Sequence, residues 1–195
     1  MFVKPKEMCK LIKNAYKTGG LVVMRNMGYY IISPKSLFWE LQVVEDELHN
    51  KIKSCIVELA GELPEEGTGF EIASDRAINR DVDMEEPYVA HPTNVRAEFV
   101  VTKLTIEEGY GFHRVIRNKK TGELTVVSEL IQSVIDKTID KSEDPVEGPY
   151  ISEYHSQRIM WSNVTGAFNI MLSSYQEDSD MAAVLGVLNK TGVIL

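Results

Sequence analysis

The chain has 195 residues, 44% of them hydrophobic and 26% charged, which suits a globular protein that buries a core without disulfide staples. Its net charge of −8 argues against a non-specific nucleic-acid binder, which must supply net cations to displace the counterions condensed on phosphates. Two cysteines, Cys9 and Cys55, are too few for a disulfide framework or a zinc site and read as reduced thiols.

No run approaches the ~18 apolar residues of a membrane span. The start is not a signal peptide, because a helix bearing lysines follows at once. These features predict a soluble, cytoplasmic protein, and the sequon Asn163-Val164-Thr165 then reads as a turn segment.

In chain order, Lys6–Thr18 has helical spacing, with Met8, Ile12, Ala15 and Tyr16 on one face and lysines elsewhere; Gly19-Gly20 stops it. Leu21–Arg25 and Tyr29–Ile32 read as strands about a tight turn at Asn26-Met27-Gly28. Ser33-Pro34 has the form of a helix start. A stripe of Leu37, Leu41, Val44, Leu48, Ile52, Cys55, Ile56 and Leu59 then predicts one long helix over residues 34–60, ended by Gly61. His49 lies beside that stripe as an ordinary surface histidine.

Residues 61–93 hold nine acidic and two basic side chains and show no sustained period. Residues 62–91 are expected to form a mobile acidic loop, with a short helix near Ser74–Ile78. Alternation returns from Asn94 to Glu107, where Val95, Ala97, Phe99 and Val101 share a face and Leu104 and Ile106 rejoin it after a bulge.

The clearest supersecondary signal is Tyr110–Asp140. It predicts a strand to Asn118, a turn at Lys119–Gly122, a return strand at Glu123–Ser128 and a helix over Glu129–Asp140, with Leu130, Ile131, Val134, Ile135 and Ile139 on one face. After a connector, Tyr150–Tyr154 is a short strand. Gln157–Ser162 and Ala167–Tyr175 form a hairpin turning at Asn163–Gly166. Asp178 or Ser179 caps a last helix carrying Met181, Val184, Leu185 and Leu188. The apolar end, Val193–Leu195, is expected to dock.

Three hairpins are thus each followed by a helix. The first two share an apolar-Arg-Asn approach (Val23–Asn26 and Val115–Asn118), a turn glycine and a capping serine. In this loose pattern the chain is similar to the sliding clamps of DNA replication, which implies a clamp-like replication accessory or oligomeric scaffold; no clamp motif carries over.

The sequence has no phosphate loop, dinucleotide glycine motif, nucleophile elbow, zincin motif or Cys-x-x-Cys, so no cofactor is expected. Asp81, Asp83, Glu85 and Glu86 alternate in the acidic loop and can gather a hard cation, but they lack the glycine and terminal glutamate of a calcium loop. His91-Pro92-Thr93 has the form used by two-histidine phosphoesterases, yet neither His113-Arg114-Val115 nor His155-Ser156-Gln157 supplies the second copy. His113 and His155 can face one groove if their strands pair, with Glu98 or Glu153 orienting them for acid–base chemistry. Arg114, Arg117, Lys119 and Lys120 make a basic hairpin tip suited to an anionic contact.

Dense acids on flanks and connectors resemble the surfaces of small acidic proteins of phage and mobile elements, anti-CRISPRs among them. That resemblance implies a nucleic-acid mimic that occupies a cationic channel.

The reading is a single α+β domain: an antiparallel sheet of about six or seven strands, built from hairpins each followed by a helix, against the long helix 34–60. The expected function is non-enzymatic binding of a protein partner, a cationic one if through Asp81, Asp83, Glu85 and Glu86, with the basic tip as the other candidate surface. It implies an inhibitor of a nucleic-acid enzyme with no membrane and no direct nucleic-acid binding. A histidine-dependent hydrolase and the clamp-like accessory are the alternatives.

Overall fold

The computed structural model describes residues 1–87, 95–109, 111–136, 144–153, 157–172 and 179–191. In chain order the elements are α1 (Pro5–Thr18), β1 (Leu21–Asn26), β2 (Tyr29–Pro34), β3 (Trp39–Val44), α2 (Asn50–Ala60), β4 (Thr68–Ile72), β5 (Ile78–Asn79), β6 (Val95–Glu108), β7 (Gly111–Asn118), β8 (Leu124–Ser128), α3 (Glu129–Gln132), β9 (Glu147–Ser152), β10 (Arg158–Asn163), β11 (Gly166–Met171) and α4 (Asp180–Thr191). The described residues are mostly antiparallel sheet with a few helices, in keeping with the α+β class. The chain divides into two compact units.

The first unit takes in residues 1–87, 134–136, 144–147 and 161–169 of the described chain. Pro5 pre-sets the first turn of α1, which buries Met8, Leu11, Ile12 and Ala15. Met27 and Gly28 both adopt positive φ, 52° and 76°, the mirror-image turn that matches strand twist, and β1 returns as β2. Val23 pairs with Ile32 and with Phe70, and Tyr30 pairs with Val43, so one sheet face is continuously apolar.

The long helix 34–60 does not form. Pro34 ends β2, the Leu37 amide donates to the Pro34 oxygen, and the chain returns as β3. After a short 3-10 turn at Glu45–Glu47 the α-helix begins only at Asn50, and Gly61 closes it in the left-handed region, φ 83°. Trp39, Leu41 and Val43 explain the difference. They alternate, they are strand-favouring or apolar, and register places Leu41 against Ile32 and Val43 against Tyr30. The helical stripe through Leu37, Leu41 and Val44 is a coincidence of two periods.

Residues 62–91 were expected to be loop, yet β4 lies inside that stretch and pairs with β1 along its whole length. Phe70 and Ile72 drive this, being fully enclosed on the core face. Ser74–Ile78 is a turn and the start of β5, not a helix: Asp75 Oδ1 accepts from the Ala77 amide at 2.9 Å, and Arg76 takes φ 67°. The sequon asparagine builds a turn as expected, its Oδ1 accepting from Thr165 N and Oγ1 at 3.1 and 2.8 Å. Within this unit the neighbour order is β5-β4-β1-β2-β3-β11-β10, the last two entering by their turn-proximal halves.

The second unit takes in residues 95–109, 111–133, 148–153, 157–160, 170–172 and 179–191 of the described chain. Its order is β10-β9-β6-β7-β8. The register of β6 on β7 shifts between Val101 and Thr105, where the bulge was expected. Thr102 turns inward there, its hydroxyl donating to Val115 O at 2.7 Å and accepting from Leu104 N at 3.1 Å. Ser179 Oγ accepts from Ala182 N at 3.2 Å and starts α4, which packs Met181 and Leu185 on Val115, Leu124 and Val126.

The helix expected over Glu129–Asp140 is only the four-residue α3. Leu130 is exposed, whereas Val134 and Ile135 are buried in the first unit, where Ile135 bridges Val3 and Val134 O accepts from Lys4 N. Residues 137–143 lie outside the described residues, as do Tyr154 and Val193–Leu195. The expected strand Tyr150–Tyr154 appears as β9, starting three residues earlier. The hairpin–helix repeat fails with these elements. The first hairpin leads into a strand and the second into a single helical turn.

Gly166 lies against the main chain of β3: an added Cβ overlaps the Gln42 carbonyl and meets Val43 Cα at 2.9 Å. Gly166→Ala is expected to force β11 away from β3 and destabilise the protein by about 3 kcal/mol or more. Gly186, inside α4 with open space at Cβ, gives the opposite sign. Gly186→Ala is expected to stabilise by about 0.5–1 kcal/mol. Urea unfolding of both variants checks the pair.

Candidate partner-binding site

The acidic stretch after β5 is a strap fastened to the sheet. Asn79 starts it: its Oδ1 accepts from Asp81 N at 3.0 Å and its Nδ2 donates to Asp81 O at 3.3 Å, bending the chain away from the edge. Val82 then lies over Gly69. A Cβ on Gly69 would stand 2.9 Å from Val82 Cγ2 and 2.7 Å from Met24 Cγ, so only glycine leaves room for the contact. Asn26 Nδ2 donates to Glu85 O at 3.0 Å and fastens the far end.

Between these fastenings Val82 and Met84 line the groove, Met84 remaining 36% exposed, and Asp81, Asp83, Glu85 and Glu86 are exposed. The four acids that the sequence singled out are thus all exposed along the strap. They do not converge on a cation: among the described residues no group of three or more potential ligands gathers.

The strap forms one bank of a groove of about 460 Å³. The other bank is Glu62–Glu65, the loop directly after α2, and the floor is Gly67–Phe70. Leu63, Pro64, Val82 and Met84 give the groove apolar surface, while Glu62 and Glu65 keep its rim acidic. Arg80 binds Glu62 across the groove, so this wall already accommodates a guanidinium. Nearby, Glu66 pairs with Arg25 at 3.5 Å and accepts from Gly28 N at 3.3 Å.

The basic hairpin tip is largely committed to internal contacts. Arg114 makes a bidentate pair with Glu129 at 2.7 and 2.6 Å and donates to Thr102 O at 3.2 Å. The Glu129 hydrogen bonds hold its guanidinium charged above the ordinary arginine range. Lys119 pairs with Glu98 at 2.7 Å. Asn118 Oδ1 accepts from Lys120 N and Thr121 N and shapes the turn. Arg117 is half-buried on β7, and the Lys120 side chain stands in solvent.

His113 is half-buried on β7, opposite Ile106 and Ser128, and its Nδ1 has no hydrogen-bond partner. Glu98, expected to orient it, is held by Lys119. His155 and His91 lie outside the described residues, as does any convergence of His113 with His155. His49 caps α2, its Nδ1 accepting from Lys51 N at 3.0 Å.

Sequence reasoning missed a buried polar group on the first unit's sheet. Glu40, Gln42 and Asn169 are each no more than 3% exposed. Glu40 Oε1 accepts from Gln42 Nε2 at 2.7 Å and Asn169 Nδ2 at 3.3 Å. The apolar–polar alternation of Trp39–Val43 was the signal available for it. No family model matches this chain, and no curated protein matches it. No helix among the described residues is long and apolar enough to cross a membrane.

If Gly69 is what lets the strap lie flat, Gly69→Ala must push Val82 and Met24 aside. The expected outcome is a loss of about 1–3 kcal/mol and faster limited proteolysis within residues 80–87, read by mass mapping of the fragments.

Proposed function

We propose that this chain is a non-enzymatic binding protein whose acidic strap and groove receive a cationic segment of another protein. The observation that carries this reading is the fastening of the strap at Asn79, Gly69 and Asn26, which holds Asp81, Asp83, Glu85 and Glu86 outward while Val82 and Met84 line the groove. Fixed carboxylates favour binding, because their geometry need not be ordered at the moment of encounter. The fitting target class is the phosphate-binding channel of a nucleic-acid enzyme, which offers lysines and arginines to an acidic surface. Such a protein acts as an inhibitor by occupying the channel. Charge complementarity of this kind speeds encounter and suppresses wrong partners.

Affinity capture from the native cytoplasm, with mass spectrometry, supplies the partner for the test. The variant joining Asp81→Asn, Asp83→Asn, Glu85→Gln and Glu86→Gln is then titrated against it at low and high salt. The association rate of the unsubstituted protein is expected to fall steeply with salt, since exposed charges are screened beyond about 8 Å at physiological ionic strength. The quadruple variant is expected to bind at least tenfold more weakly at low salt, the equivalent of about 1.4 kcal/mol. Its melting temperature is expected to stay nearly unchanged, because exposed charges contribute little stability. Ile52→Ala, in the core, gives the converse: binding is kept by the folded fraction and stability falls by roughly 2–5 kcal/mol. An unchanged low-salt affinity in the quadruple variant defeats the reading.

A further inference from the structure

The two cysteines meet where α1 packs on α2. The Cys55 thiol donates to the Cys9 main-chain oxygen at 3.8 Å, so the two residues meet across the helix contact. The Cys9 thiol in turn lies 3.5 Å from Lys51 O. Cys9 stands at the rim of the core, 9% exposed, and Cys55 is deeper at 4%. Nothing in the partner-binding reading uses them.

We propose that Cys9 and Cys55 are a reversible oxidation site, at which a small peroxide converts the two thiols to a disulfide joining α1 to α2. In the first step the Cys9 thiolate attacks a peroxide oxygen. An S–O bond forms, the O–O bond breaks, and hydroxide leaves and takes a proton to become water. Cys9 is oxidised to the sulfenic acid and hydrogen peroxide is reduced. In the second step the Cys55 sulfur attacks the Cys9 sulfur. An S–S bond forms, the S–O bond breaks, and the departing hydroxide joins the Cys55 thiol proton as a second water. Two thiols and one hydrogen peroxide give one disulfide and two waters.

The surroundings assign the order of attack. The contact with Cys55 draws the Cys9 thiol down against the cost of burial, with Lys51 and Lys13 assisting and Glu58 opposing. The same contact, together with burial, pushes the Cys55 thiol up. Cys9, the more exposed of the two at the rim of the core, is therefore the nucleophile toward peroxide, and the deeper Cys55 resolves the sulfenic acid. The bond closes across a sequence separation of 46 residues.

The test treats the full chain with hydrogen peroxide at neutral pH, quenches it, and measures intact mass and non-reducing peptide maps. The expected result is a loss of about two daltons, a cross-linked peptide containing Cys9 and Cys55, and full reversal by dithiothreitol. Cys55→Ser is expected to gain oxygen on Cys9 instead, and Cys9→Ser to react far more slowly, each checked for native circular dichroism. The proposal is overturned if the peroxide-treated wild-type chain keeps both thiols, gains oxygen without forming the bond, or links only between chains. The wild-type mass decides this even if a variant fails to fold, and it does so independently of any partner at the groove.

Discussion

Strand β3 is enclosed on both faces, and much of the first unit follows from that. Trp39, Leu41 and Val43 continue the apolar face begun by Val23, Ile32 and Phe70, and Trp39 meets the Phe168 ring at 6.3 Å. Glu40 and Gln42 point the other way and are enclosed as well. A buried carboxylate has to receive hydrogen bonds, and Gln42 and Asn169 provide them. Asn169 can reach Glu40 only because β11 lies close, and β11 lies close because Gly166 has no side chain to hold the β3 main chain away. The close approach and the polar contact therefore depend on one another.

The same logic, on a smaller scale, turns an acidic loop into a strap. A run such as Asp81–Glu86 repels itself and has too little apolar surface to fold alone. It becomes ordered because Val82 finds a notch at Gly69 and because Asn79 and Asn26 hold its two ends by main-chain contacts. None of these contacts uses a carboxylate of Asp81 or Asp83. The charges of Asp81 and Asp83 are thus uncoupled from these fastenings, which is the arrangement in which they can be altered while the fold is kept.

The sequence made the hairpins legible and the helices much less so. Asn26–Gly28, Lys119–Gly122 and Asn163–Gly166 declare themselves because turns demand particular backbone conformations, and the residues that tolerate them are few. The β6 bulge was legible because alternation broke at one point and resumed. Residues 34–48 misled because Leu37, Leu41, Val44 and Leu48 satisfy a helical period while Trp39–Val43 satisfies a strand period. Ser33-Pro34, a good helix start, is equally a good strand end at a turn. Only pairing with Tyr30 and Ile32, a non-local fact, decides between them. Val134 and Ile135 misled in the same way: they complete a helical stripe after Leu130, but bury themselves beside Val3. At the candidate site the acids were legible by composition. Their fastening was not, since it depends on Gly69 and Asn26, distant in sequence and silent in any local pattern.

The net charge beside the groove has one sign for a structural reason. Arg25, Arg80, Arg114 and Lys119 each meet a carboxylate within their own unit, and Arg114 does so in the strongest geometry, a two-pronged pair half out of water. Arg114 and Lys119, two of the four cations on the β7–β8 hairpin, are thereby neutralised locally. The strap acids have no such neighbours in surplus, because residues 61–93 hold nine acidic and two basic side chains. One of those two, Arg80, is spent on Glu62. The field near the groove is therefore negative whatever the tip does, and the partner that lowers its free energy most is one that brings cations into reach of Glu62, Glu65 and the strap at once. Arg80, lying across the groove on Glu62, marks where the first of those cations can lie.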